Sequence, residues 1–374
     1  MFIVVFIVTI LILVVIHELG HFLVARKFNI KVLEFGFGIP PRAWGKKWGE
    51  TLVSLNWLPF GGFVRLLGED ESDPETLKNK RSFASQAVWK RILVVVAGVA
   101  MNLLLAFVLF YLVIAAQNFK VQLPLLTNYH FAGVKQTNEQ VVLVVEVAKG
   151  SPAEQVHLKP EDRIIAINGQ PITSADQLVA EVKAQAGKPV TLTLTDVQKT
   201  QTRVVSLVPR ENPPPGQGSM GVALGTFEMA NLEYATLGQK LLAGPIHSYN
   251  LVLYSGQILG QTIAASFAKK DFTPVSQNVA GPVGITTIIK QILAIKNPLI
   301  PLLDFVAALS LNLAVVNVLP FPGLDGGRLL FLVIEAITGK KAHPTLEKYV
   351  HGVGLVLIVG LLILSTLSDL KKLF

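Results

Sequence analysis

The chain has 374 residues and no cysteine; 51% of its residues are hydrophobic and only 16% are charged, against about 25% charged in soluble domains. That composition excludes a disordered chain, a disulfide-stapled secreted fold, thiolate metal sites and thiol nucleophiles. With a mean hydropathy of +0.52, the formal charge of +8 reads as the cytoplasmic loops of a membrane protein, with no nucleic-acid partner.

A bilayer core about 30 Å thick needs about 20 apolar helical residues. The first such stretch is 1–25. It lacks a basic n-region and a small-residue cleavage site, so it reads as a retained helix rather than a signal peptide. The loop that follows, 26–91, is rich in Lys and Arg, including Arg26, Lys27, Lys90 and Arg91 beside the spans. This loop is therefore expected on the cytoplasmic side. Within it, 50–67 alternates partly and contains Pro59-Phe60-Gly61-Gly62, which predicts a β-hairpin or a pair of short strands turning there. The second span is 92–117.

Residues 121–210 contain strand-like runs at Val141–Val147, Arg163–Asn168, Val190–Thr195 and Val204–Val208. A helix is expected over Ser174–Gln185, and Asn168-Gly169 predicts a turn. The linker Asn212-Pro213-Pro214-Pro215-Gly216 closes this small domain. Residues 211–300 then read as linker and amphipathic helices. Leu241–Ala268 has no charge but carries His247, Ser248, Asn250, Ser255, Gln257, Gln261 and Ser266, so it is read as interfacial. The third and fourth spans are 305–324 and 349–368.

The chemistry concentrates at the end of the first span. His17 and His21 stand at i and i+4, so their imidazoles share one helix face and can hold one ion. Glu18 lies about 100° further round, placed to act on water without ligating the metal. Ionisable groups inside a span are costly and mark function. A catalytic zinc takes three protein ligands and one open position. Without cysteine, the third ligand is His, Asp or Glu. Asp325, directly after the third span, reaches the depth of His17 if 241–268 does not cross the membrane. Asn317, near the end of the third span, can hydrogen-bond a substrate backbone or an oxyanion, or bond a neighbouring helix as a membrane asparagine does. The proline-broken run around Pro320 and Pro322 is tolerated at membrane depth where it lines a cavity. A strand from 50–67 can hold an unwound substrate by strand addition. Gly36-Phe37-Gly38 is expected to line the same entrance.

These motifs resemble the site-2 proteases, intramembrane zinc metalloproteases, and most closely the bacterial regulator of sigma-E protease subgroup. The resemblance rests on His17-Glu18-Leu19-Gly20-His21, Gly36-Phe37-Gly38, Pro59-Phe60-Gly61-Gly62-Phe63-Val64, and Asn317 through Pro320, Pro322 and Leu324-Asp325-Gly326-Gly327. It implies one Zn2+ per chain on His17, His21 and Asp325, with Glu18 as catalytic base. It implies substrate contacts by Asn317, Gly36, Phe37, Gly38, Gly61, Gly62, Pro320 and Pro322. Residues 52–67 correspond to a membrane-associated β element that engages substrate. The 121–210 domain resembles a PDZ domain through Gly150-Ser151-Pro152-Ala153 and Asp162–Gly169. It departs from the common bacterial pattern at Val156-His157 and at Glu161.

The expected fold is a polytopic α-helical membrane protein of about four transmembrane helices, with a β-hairpin element and an inserted α+β PDZ-like domain. Its implied partners are the lipid bilayer, single-pass membrane protein substrates such as anti-sigma factors or remnant signal peptides, and a peptide or C-terminus on the PDZ-like domain. Its implied place is the bacterial plasma membrane, with the active site near the cytoplasmic side and the PDZ-like domain extracytoplasmic. A metal transporter would spread ionisable residues over several spans. An idle scaffold would have no need to keep Glu18.

Overall fold

A computed structural model describes residues 1–69, 74–195, 202–271, 281–341 and 343–373. In chain order the elements are α1 (Phe2–Lys27), β1 (Val32–Trp48), β2 (Thr51–Leu66), α2 (Pro74–Lys78), α3 (Val88–Ala116), β3 (Lys120–Leu125), β4 (Lys135–Val147), α4 (Pro152–Gln155), β5 (Arg163–Ile167), β6 (Gln170–Pro171) and α5 (Ala175–Ala184). They continue with β7 (Val190–Thr195), β8 (Thr202–Leu207), β9 (Val222–Glu233), α6 (Leu237–Leu241), α7 (Ala243–Lys269), α8 (Pro282–Ala294), α9 (Leu299–Val318), α10 (Asp325–Thr338) and α11 (Pro344–Leu373). The chain divides into two compact units, one of residues 1–118 with 240–374 and one of residues 119–239.

In the first unit, four helices among the described residues are long and apolar enough to cross a bilayer: Phe2–Lys27, Val88–Ala116, Leu299–Val318 and Leu346–Leu370. The chain is a polytopic helical membrane protein. The third of these stops at Val318, six residues before the expected end at 324. Pro320 cannot continue a helix and forces the residue before it into an extended conformation, seen at Leu319 with φ −63° and ψ 142°. The freed segment turns back and restarts as α10 at Asp325. The polar stretch read as interfacial forms α7, which is not among the four. Its His247 is buried with its ring 4.9 Å from that of Phe110 on α3. Residues 272–280 of the stretch beyond it lie outside the described residues.

Helix α1 lies unusually close to α3. A β-carbon on Gly20 would fall 2.2 Å from the carbonyl oxygen of Ala97, so only glycine permits this approach. On α3, the carbonyl of Asn102 accepts from the Ser310 hydroxyl of α9 at 2.8 Å. Buried Arg91, also on α3, pairs with buried Glu335 of α10. Thus α3 is the post against which α1, α9 and α10 pack.

The β element differs from expectation. Its tight turn is Gly49-Glu50, with Trp48 opposite Thr51 and Gly49 at φ +62°. The Pro59–Gly62 run lies instead inside β2, and Gly36-Phe37-Gly38 belongs to β1. Both strands bend at glycines of positive φ, Gly38 (+79°) and Gly61 (+80°). The run 32–37 therefore pairs with 62–66 on one side and with 52–55 on the other. Phe22, Ala25, Ile30, Val32, Phe35, Leu66 and Val94 form the buried cluster that fixes this sheet to the C-terminal end of α1 and the N-terminal part of α3.

The second unit is a seven-stranded sheet ordered β3-β9-β4-β5-β7-β8, with β6 added on β5. Strands β4, β5, β7 and β8 and helix α5 overlap the expected runs, and Ser174 caps α5 by accepting from the Gln177 amide. Asn168 and Gly169 take positive φ between β5 and β6. The core gathers Val142, Ile164, Leu178, Leu192 and Leu194. The unit extends past the expected boundary at 210, because β9 pairs along β4 from Lys135↔Glu233 to Val147↔Val222. The Pro/Gly run 212–216 is therefore a loop within the unit.

The Arg91–Glu335 pair yields a test. Removing one partner leaves a buried charge, at a cost of about 3–5 kcal/mol. Arg91→Met is expected to lower the melting temperature of the detergent-solubilised protein. The double variant Arg91→Met/Glu335→Met is expected to recover most of that loss, as measured by thermal unfolding.

Candidate metal centre

His17 and His21 project from the last turns of α1, and Asp325 opens α10. Asp325 Oδ2 lies 3.0 Å from His17 Nε2 and 3.3 Å from His21 Nε2. The two Nε2 atoms are 3.3 Å apart. Donors bound tetrahedrally to zinc at about 2.0–2.1 Å are separated by about 3.3 Å, so this triangle matches one face of such a site. Among the described residues it is the one His/Asp/Glu cluster whose donor atoms converge in this way.

The second ring nitrogens support the same reading. His21 Nδ1 faces the carbonyl oxygen of Val94 at 2.8 Å. A carbonyl can only accept, so Nδ1 carries a proton, and in the neutral ring Nε2 presents a lone pair to the carboxylate. Two electron-rich atoms at this distance call for a cation between them. His17 Nδ1 lies 3.2 Å from the amide of Asn102, whose oxygen is buried without a partner. Placed at that contact, the amide oxygen accepts from Nδ1–H and frees the Nε2 lone pair in the same way. The N-terminus of α10 favours the anionic state of Asp325. The donor set, two imidazoles and one carboxylate, therefore fits a divalent zinc-type ion.

A cavity of about 550 Å³ opens on these groups, lined among others by Glu18, the β2 run Gly62–Leu66, Glu69, Arg328 and His351. Gly62 lets β2 lie against α1, since a β-carbon there would meet Val14 at 2.9 Å and the Glu18 side chain at 3.3 Å. Arg328, one turn after Asp325, pairs with Glu69. The structure thus brings together His17, Glu18, His21, Gly62 and Asp325. Gly36, Phe37, Gly38, Gly61, Asn317, Pro320 and Pro322 are not in the cavity wall. Asn317 is half-buried near the end of α9, and Pro320 is exposed. The sequence reading missed Asn102, Glu69, Arg328 and His351. Asn102 and His351 carried a usable signal, because each is a polar side chain within an apolar span.

Gly98 of α3 gives a direct test. A β-carbon there would fall 2.3 Å from His21 Nε2 and 2.9 Å from His17 Cε1. Gly98→Ala is expected to leave the helical circular dichroism unchanged and to remove most of the bound metal, measured by elemental analysis of the purified chain.

Comparison with known proteins agrees with this geometry. Residues 5–361 match peptidase family M50. A Clostridium perfringens relative is 34% identical over 96% of this chain and 95% of its own. The zinc metalloprotease RasP of Geobacillus kaustophilus is 26% identical over 97% of this chain and 96% of its own. Among solved structures, the PDZ domain of an SdrC-like protein from Listeria monocytogenes is similar at 18% identity and a TM-score of 0.20, covering 26% of this chain and 93% of that one. The chain belongs to peptidase family M50 and is a membrane metalloprotease.

Proposed function

We propose that this peptidase is a site-2 protease that cuts peptide bonds in or near the transmembrane segments of single-pass membrane proteins. The carrying observation is the meeting of His17, His21 and Asp325 at one point, on a helix apolar enough to span the bilayer. In this reading His17, His21 and Asp325 hold one Zn2+. Bound there, the ion supplies Lewis acidity towards a peptide carbonyl and makes water a stronger acid. Glu18 faces the same cavity, takes the proton of the attacking water and delivers it to the leaving amine.

A peptide bond within a helix is shielded and its backbone is already paired, so the substrate must be extended before it is cut. The β2 run 62–66 supports how this is done. It pairs only with 32–37 among the described residues, and its residues line the cavity. A substrate strand added along that edge runs past Glu18. Asn317 is assigned the stabilisation of substrate. Gly36, Phe37, Gly38 and Gly61 shape the sheet behind the edge, and Pro320 and Pro322 shape the segment leading into Asp325.

The Lys- and Arg-rich loop 26–91 supports placing the metal at the cytoplasmic side and the 119–239 unit on the extracytoplasmic side of a bacterial plasma membrane. That unit is read as a PDZ-like domain that takes a peptide or C-terminus. Anti-sigma factors or remnant signal peptides are the substrate class this topology suits.

The test uses purified full-length protein and a tagged single-span substrate in bilayers. Glu18→Gln is expected to keep its zinc and lose at least about 100-fold in cleavage rate. Asp325→Ala is expected to lose zinc and activity together. Wild-type cleavage by Glu18→Gln, or full zinc in Asp325→Ala, overturns the corresponding assignment.

A further inference from the structure

Helix α11 contributes His351 to the cavity wall. The residue is unusual in its setting, since the surrounding segment Leu346–Leu370 is long and apolar enough to cross a bilayer. Its protonation can be read from its partners. The backbone N–H of Gly323 donates to His351 Nδ1 at 3.0 Å. A backbone N–H can only donate, so Nδ1 holds a lone pair and the proton of the neutral ring is on Nε2. Nε2 is buried and has no hydrogen-bonding partner among the described residues. The ring is held in place by that amide and by Phe331 of α10, whose centroid is 5.7 Å away.

The other polar side chains of the wall are already engaged. His17, His21 and Asp325 face one another. Arg328 pairs with Glu69, and Arg65 with Glu34 at 3.5 Å. Glu18 offers an acceptor. That leaves His351 as the wall's neutral donor, anchored on Gly323, two residues before Asp325. An extended chain lying on the β2 edge uses one side of its backbone for the strand and presents the carbonyls of its other side to the rest of the cavity.

We propose that His351 Nε2–H donates a hydrogen bond to a backbone carbonyl oxygen of the bound substrate, which makes it a substrate-contacting residue of this peptidase. The inference rests on the proteolytic reading above. Buried N–H groups are seldom left unpaired; the substrate carbonyl supplies the missing acceptor.

The test separates the two nitrogens. In His351→Asn, the amide oxygen can replace Nδ1 as acceptor for Gly323, but no donor reaches the position of Nε2. In His351→Gln, the longer amide restores a donor there. In full-length protein with the single-span substrate, His351→Asn is expected to keep wild-type zinc content and lose about 10- to 100-fold in kcat/KM. His351→Gln is expected to recover part of that loss. Wild-type kcat/KM in His351→Asn overturns the proposal. So does loss of zinc in that variant, which would make His351 only a support for the Asp325 loop. A Gln variant no better than Asn also counts against the donor. Glu18→Gln is measured alongside: if it cleaves normally, the mechanism fails whatever His351 does.

Discussion

The structure depends on holding one carboxylate against two imidazoles inside a largely apolar bundle. Left alone, a buried carboxylate facing two ring nitrogens would be expensive. It is acceptable here because the three donors converge with separations of 3.0–3.3 Å, a geometry that an ion of double positive charge satisfies. Several features exist to make that meeting possible. Gly20 and Gly98 bring α1 and α3 together, Pro320 ends α9 early, and the restarted α10 presents Asp325 at its N-terminus. The Arg91–Glu335 pair then ties α10 to α3, so the helix carrying the carboxylate is pinned to the helix behind the imidazoles.

Peptide hydrolysis needs room for water and substrate beside these groups, and the fold supplies it. The cavity of about 550 Å³ is walled by polar groups and by strand backbone as well as by helices. Non-helical backbone at membrane depth is tolerated where it faces such a cavity. Gly323, Leu324 and the β2 run 62–66 are the non-helical backbone that faces it. The same sheet is rooted in the apolar cluster around Phe22, Phe35 and Val94, which fixes the edge beside Glu18.

How much of this could be read in the amino-acid sequence varied with the range of the interaction. The His17-Glu18-x-x-His21 spacing is local, so helix periodicity alone places both imidazoles on one face. The four long apolar helices follow from composition in the same way. Asp325 was reached by a depth argument, and it lies 3.0 Å from His17 Nε2. The β element was only half legible, because its partner strand begins at Val32 and the pairing depends on non-local register rather than alternation. The end of the second unit was misplaced for a like reason: β9 is assigned by its pairing with β4, and the Pro/Gly run before it looks like a linker. Glu69 and Arg328 lie far apart in the chain, and nothing in either neighbourhood announces their pairing. Asn102 and His351 were overlooked although each is a polar group in an apolar span. Apolar length located the spans, but the polar exceptions within them marked the site.

The central claim is that two imidazoles and one carboxylate of this chain hold a single zinc ion. Zinc K-edge X-ray absorption on the purified full-length protein tests it most directly. The account predicts about one zinc per chain, light-atom neighbours at about 2.0–2.1 Å, and outer-shell scattering from two imidazoles. A site without imidazole scattering, or zinc far below one per chain in active protein, would contradict it.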